Sequence, residues 1–243
     1  MTREQEIFSR LQIGDVILTV GKLSWWKPFD YILRPVYAAI QWHQRRKYPT
    51  VPKSRCRDVH ARIVTDIRPG YVEVFSYEWP RAVLQQLKIE KDTKYRICRY
   101  LPGGNGWESE SFGLFVTLIR LGCKKLLGNH YDPLQMIDIA LKELFPWAIP
   151  EKASIFDLGK WKKVCSVGVL FALLHWWRNF WRDPEKWDKP MPIERVFLGA
   201  QLSIADKYPR PLKKQHIETC APADFCVDEL VNDPNTFQVI YED

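Results

Sequence analysis

"VHARIVTDIRPGYVEVFSY", residues 59–77, is the stretch on which the fold turns. Two runs rich in β-branched and aromatic residues flank Ile67-Arg68-Pro69-Gly70-Tyr71, and a Pro-Gly pair between such runs marks a tight turn. The reading is an antiparallel hairpin whose second strand brings residues near 74–78 back opposite His60. His60 lies near the start of the first strand, beside Val59, Ile63 and Val64, where a polar ring needs a partner. Ser76 and Glu78 are the polar residues on offer. Ser76 shares parity with Val72 and Val74, Glu78 is the stronger electrostatic anchor, and one residue of slip decides between them.

Working outward, "IGDVILTVG" (13–21) reads as a buried strand, "KYRICRY" (94–100) alternates as another, and "FQVIY" near the C-terminus is strand-like. Residues 2–12 form a short polar helix. Phe29, Ile32, Leu33, Val36 and Ile40 stand at helical spacing, with Pro35 expected to kink or split that helix. Further helices are expected at 111–126, at 133–145 with Asp132 as N-cap and Pro133 at the first helical position, and at 193–205. Strands and helices in this order predict an α+β fold in a single domain, 1–243, with no internal repeat and no shift of composition.

The second informative stretch is "KKVCSVGVLFALLHWW", residues 162–177. From Val167 onward it is apolar all round, which places the helix in the core. Cys165 in that setting reads either as a small core residue or as a nucleophile mounted on the helix. In the first turn, unpaired N–H groups and the positive end of the dipole stabilise a thiolate, and Lys162 and Lys163 add charge. A cysteine nucleophile needs a base. His175 is ten residues along the same helix, about 15 Å of rise away. His43 and His216 sit among basic residues in loop-like stretches, and His130 precedes a helix start. His60 is therefore the best candidate base for Cys165.

Composition narrows the remaining classes. The 243 residues include 11 Trp, carry a formal charge of +7, and are 46% hydrophobic and 27% charged, which is globular. The charged "MTREQEIFSR" start is not a secretory signal, and Val164–Trp177 is too short for a bilayer span. The expectation is a cytoplasmic protein with free thiols and no integral membrane segment. Arg45, Arg46, Lys47, Lys53, Arg55 and Arg57, together with Pro49 and Pro52, read as a basic loop over 43–57. It is either simply solvated or a patch for an anionic surface or polymer. Charge and aromatics without a recognised module do not favour nucleic acid. "PGGNGWESES" (102–111) lacks the Gly-Lys-Ser/Thr ending of a phosphate loop, and His216, Cys220 and Cys226 are irregularly spaced for zinc. No cofactor and no metal are expected.

In chain order, "GDVILTVG", "VHARIV", "YVEVFSYEWP", "YDPLQMI", "VCSVGVLFALL" and "APADF" resemble the circularly permuted papain-fold hydrolases of the NlpC superfamily, the YiiX/YaeF-like group. The resemblance spans roughly residues 11–100 and 130–231. It implies a permuted papain-like fold, a small antiparallel sheet packed on a central helix headed by the cysteine. Cys165 then matches the nucleophile, His60 the base, and Ser76 (or Glu78) the third polar residue. Tyr131 matches a recurring tyrosine, and Ser166 falls in the Cys-Ser setting next to the oxyanion site. Against that group, Ala61-Arg62 replaces a small apolar pair. The basic stretch near 43–58 and the Trp-rich stretch near 176–195 look like insertions. The implied activity is a cysteine hydrolase or acyltransferase, working on a peptide amide or acyl ester of cell-wall or lipid-like origin. The rival expectation is a non-enzymatic binding or structural module with this fold, such as a component of a phage particle or other assembly. For location, the alternatives to the cytoplasm are a virion or export by a non-classical route.

Overall fold

The computed structural model describes residues 2–20, 28–49, 51–78, 80–101, 109–131, 164–180, 220, 222–226 and 237–243. They form an α+β arrangement around one six-stranded antiparallel sheet. In chain order the elements are α1 (Arg3–Arg10), β1 (Val16–Thr19), α2 (Pro28–Lys47), β2 (His60–Arg68), β3 (Tyr71–Tyr77), β4 (Ala82–Gln86), β5 (Tyr95–Tyr100), α3 (Ser109–Leu126), α4 (Cys165–Phe180), a single 3₁₀ turn (Pro222–Phe225) and β6 (Phe237–Glu242). The strand order across the sheet is β4-β3-β2-β1-β5-β6. The helices expected at 133–145 and 193–205, like Lys162, Lys163 and His216, lie outside the described residues.

The 59–77 hairpin forms as its pattern dictates. Gly70 closes the turn at φ +69°, a conformation that glycine adopts without steric cost. Arg62 pairs with Ser76, Ile63 with Phe75 and Val64 with Val74, and a register shift between Val64 and Asp66 follows. Alternation along the strands then sorts the side chains onto two faces. Ala61, Ile63, Phe75, Tyr77, Val16, Leu18, Cys98 and Tyr100 belong to the larger core, shared with Phe115 and Ile119 of α3 and with Val167, Leu170 and Leu173 of α4. Ile17, Val64, Val74, Tyr95 and Ile97 form a smaller core with Ile7 of α1. The capping box of α1 sets where that helix starts: Thr2 Oγ1 accepts from the Gln5 N–H, and the Gln5 side chain accepts from the Thr2 N–H.

α4 lies close on β3 because Gly168 has no side chain to keep them apart. A Cβ at this position would sit 2.2 Å from Tyr77 ring carbons. The approach brings the first turn of α4 down onto the start of β2.

Two expectations change here. Pro35 does not split the second helix, which runs unbroken from Pro28 to Lys47. Pro35 is exposed, so the carbonyl left without its N–H partner one turn earlier can turn toward water. The supposed basic insertion at 43–58 is consequently part helix. Residues 43–47 are the last turn of α2, and the irregular segment begins at Tyr48, ahead of Pro49 and Pro52. His43, read as solvated, is buried on the inner side of that turn next to Gln44. The residues 176–180 of the Trp-rich stretch continue α4, and the rest of that stretch lies outside the described residues. Among the described residues no helix is long and apolar enough to cross a membrane.

Candidate active site

Cys165 is the first residue of α4, and its sulfur lies 3.8 Å from the Val59 carbonyl oxygen. The His60 ring and the backbone N–H groups of Ala61 and Ser166 are close enough to act on the charge of the sulfur. The helix start and the strand start thus meet at one point, about a hundred residues apart in sequence. On its other side the ring is held by β3: His60 Nε2 is 2.8 Å from Ser76 Oγ. Nε2 is thereby engaged by β3. Ser76 Oγ donates in turn to Glu78 Oε1 at 3.3 Å, and the same carboxylate oxygen stands 3.8 Å from His60 Nε2. Both Ser76 and Glu78 stand at the ring. A hydroxyl accepts and donates at once, so Ser76 links ring to carboxylate without displacing it.

Glu78 is itself fixed. Arg62 Nη2 lies 3.3 Å from its Oε1, and Gln85 Nε2 of β4 donates to the same oxygen. Its carboxyl is held down to about 2, first by the neighbouring His60 ring, against the opposing effect of burial, and then by the charge of Arg62 and the hydrogen bond from Gln85. It is ionised at every pH at which the site could work.

Electrostatics couple the thiol and the ring. Burial by itself pushes the Cys165 thiol up. The His60 charge, the hydrogen bond from its ring and those from the Ala61 and Ser166 N–H groups outweigh it and bring the thiol below its ordinary value. Burial by itself lowers His60, but the facing thiolate and the hydrogen bonds to Cys165 and Glu78 outweigh that and raise it. A lowered acid beside a raised base favours the thiolate–imidazolium form of the pair. The contrast with Cys123 is informative. It is equally buried, and there burial, joined by the charge of Glu73, pushes its thiol up.

The remaining residues singled out from sequence fall as follows. Ser166 donates its hydroxyl to the Cys220 carbonyl at 2.6 Å, so the side chain ties α4 to the C-terminal segment and only its N–H serves the sulfur. Tyr131 packs at the margin of the larger core, its N–H bonded to the Pro80 carbonyl at 2.9 Å. His130 forms an isolated bridge with Arg81, and His175 lies further along α4. Among the described residues no group of three His, Cys, Asp or Glu could hold a metal ion.

Three supports escaped the sequence. Gln44 is fully buried in α2. Its Nε2 donates to the Cys56 and Asp58 carbonyls, and its Oε1 accepts from the Ala223 N–H at 2.6 Å. Tyr48 donates its hydroxyl to Asp224, and Asp58 pairs with Arg96 in the interior. Together these bind the segment entering β2 to the "APADF" turn, and so fix where His60 begins. Reading 43–57 as a loop hid Gln44 and Tyr48. Asp224 had at least stood out within "APADF".

Glu78→Gln keeps the shape and removes the charge. The imidazolium loses its neighbouring anion, so the pH at half-maximal alkylation of Cys165 should rise by about one unit. Ser76→Ala should shift it less, because the carboxylate stays near the ring. A pH series of iodoacetamide labelling on both variants measures the difference.

A scan against protein-family models finds no match to this chain, and a search of curated proteins likewise finds none.

Proposed function

We propose that this protein is a cysteine hydrolase or acyltransferase that works on an amide or ester through an acyl-enzyme at Cys165. The observation that carries this reading is the thiol at a helix start, lowered by the charge of the His60 ring, whose Nε2 is held 2.8 Å from Ser76 Oγ. Nucleophile, base and orienter in that sequence of contacts are what thiol acyl transfer needs. In the same reading the fold is of permuted papain-like type, with His60 ahead of Cys165 in the chain.

The Cys165 thiolate attacks the acyl carbon, and the carbonyl π electrons move onto oxygen. The N–H of Cys165, in the first turn of α4, supplies a donor to that oxyanion. Collapse breaks the bond to the leaving amine or alcohol, which takes the proton from the His60 imidazolium. The thioester remains on Cys165. Neutral His60 then removes a proton from water, or from an acceptor hydroxyl or amine, as that oxygen or nitrogen attacks. Collapse of the second tetrahedral intermediate releases the acid or transferred product and restores the thiolate–imidazolium pair. A cell-wall peptide amide or a lipid-like acyl ester fits this chemistry equally.

Cys165 exposes only 3% of its surface. Absolute labelling rates will therefore be slow, and the informative quantity is the pH at half-maximal rate. With iodoacetamide and mass spectrometry, that midpoint should fall well below the roughly 8.5 of an ordinary thiol. A midpoint at or above that value would end the reading.

A further inference from the structure

Between Asp30 and Asp58 the chain carries seven Lys and Arg and no carboxylate. The structure gathers part of this charge on one surface. Arg45 and Arg46 are exposed in the last turn of α2, and Arg46 lies over the ring of exposed Trp42, 5.4 Å from its centroid. Gln41 Nε2 donates to the Arg57 carbonyl at 3.2 Å, which brings the irregular segment back beside this end of the helix. Arg57 and Lys53 on that segment are exposed too. Among the described residues Arg45, Lys53 and Arg57 have no ion-pair partner. Arg55 differs, turning inward to the Cys226 carbonyl. The nearest carboxylate in sequence, Asp58, is buried and spent on Arg96.

We infer that this surface docks the protein on an anionic phospholipid bilayer. The positive charge matches a negatively charged headgroup layer. Trp42 is 37% exposed, and an indole beside cations is the side chain suited to the water–bilayer boundary. A nucleic-acid platform would instead present successive aromatics for stacking bases. Trp42 is alone here: the other exposed large apolar side chains among the described residues are Leu121 and Leu127, on and just after α3. Arg57 precedes His60 by three residues, at most about 11 Å of chain. Docking would therefore hold the start of β2, with its histidine, near the bilayer surface.

The test uses the full chain and sedimentation with phosphatidylcholine vesicles, plain or doped with phosphatidylserine. Binding should require phosphatidylserine and weaken as salt is raised. Arg45→Glu/Lys53→Glu/Arg57→Glu should lower the partition coefficient by about a hundredfold. The charge-matched Lys88→Glu/Lys91→Glu/Lys125→Glu should bind within about threefold of wild type, because those charges lie on other elements. Trp42→Ala should cost several-fold more than any one charge, and Cys165→Ala should change nothing, which separates docking from the acyl chemistry. The inference fails if wild type does not bind doped vesicles, or if the 45/53/57 variant binds as well as the 88/91/125 variant. It also fails if Trp42→Ala has no effect while single-stranded DNA binds more tightly than the vesicles.

Discussion

His60→Ala should move the pH midpoint of Cys165 alkylation from below that of an ordinary thiol to above it, a rise of about two to four units. The sign follows from the opposing influences at the sulfur. Burial, the largest of them, favours the neutral thiol, and the charge and hydrogen bond of His60 reverse it. Removing the ring leaves burial opposed only by the N–H groups of Ala61 and Ser166, so the thiol must rise. In the native protein the His60 charge lowers the Cys165 thiol and the facing thiolate raises His60. Each charge thus favours the other. The alanine variant has no such partner, and its reactivity should climb only at alkaline pH.

A merely structural role for His60 would predict something else. The ring is only partly buried, with 19% of its side chain exposed, so its removal leaves a site that free imidazole can enter. Added imidazole at a pH where it is protonated should restore part of the low-pH labelling. A variant that lost reactivity through misfolding would not respond, and its circular dichroism would already differ from wild type. An unchanged midpoint in His60→Ala would show that the thiol is not under the control of this ring.

The parts of the site that were legible in sequence depended on local rules. Strand alternation and the Pro-Gly turn placed Ser76 and Glu78 within reach of His60, because a hairpin this short has few registers open to it. The start of α4 was legible because an apolar helix needs a beginning, and polar residues at its head mark one. What could not be read depended on partners distant in the chain. The last turn of α2 carries Arg45 and Arg46 outward and His43 and Gln44 inward, and this amphipathic pattern looked like a basic loop because the inward pair is polar. Gln44 is tolerable there only because the carbonyls of Cys56 and Asp58 and the N–H of Ala223 satisfy it. β4 was missed for a related reason. Gln85 and Gln86 are poor strand formers, yet pairing with Val74 and Glu73 of β3 makes a strand of them. The pairing also delivers Gln85 to Glu78.

The same distance effect underlies the largest expected loss of stability. Arg96→Leu should destabilise the protein by about 3–5 kcal/mol, read as a lower denaturation midpoint at unchanged slope. Asp58 and Arg96 pair with 3% and 5% of their side-chain surface exposed. Arg96 Nη2 also donates to Glu242 of β6 at 2.6 Å. Glu242 is partly exposed and can be rehydrated when the guanidinium goes, but the Asp58 carboxylate is left charged in the interior. The cost is thus mainly that of an orphaned buried ion, and Arg96→Leu/Asp58→Leu should recover much of it, since an apolar pair has no charge to desolvate. Equal destabilisation in the single and double variants would instead point to packing around the substituted β5 position as the cause. The double variant also tests how the fold supports the chemistry. Asp58 stands two residues before His60, and its carbonyl, which accepts from Gln44, is kept whatever the side chain. If Gln44 and the Ala223 turn suffice to hold the entry to β2, the double variant should retain the low alkylation midpoint of Cys165. If the ion pair is needed as well, stability should return while the midpoint rises.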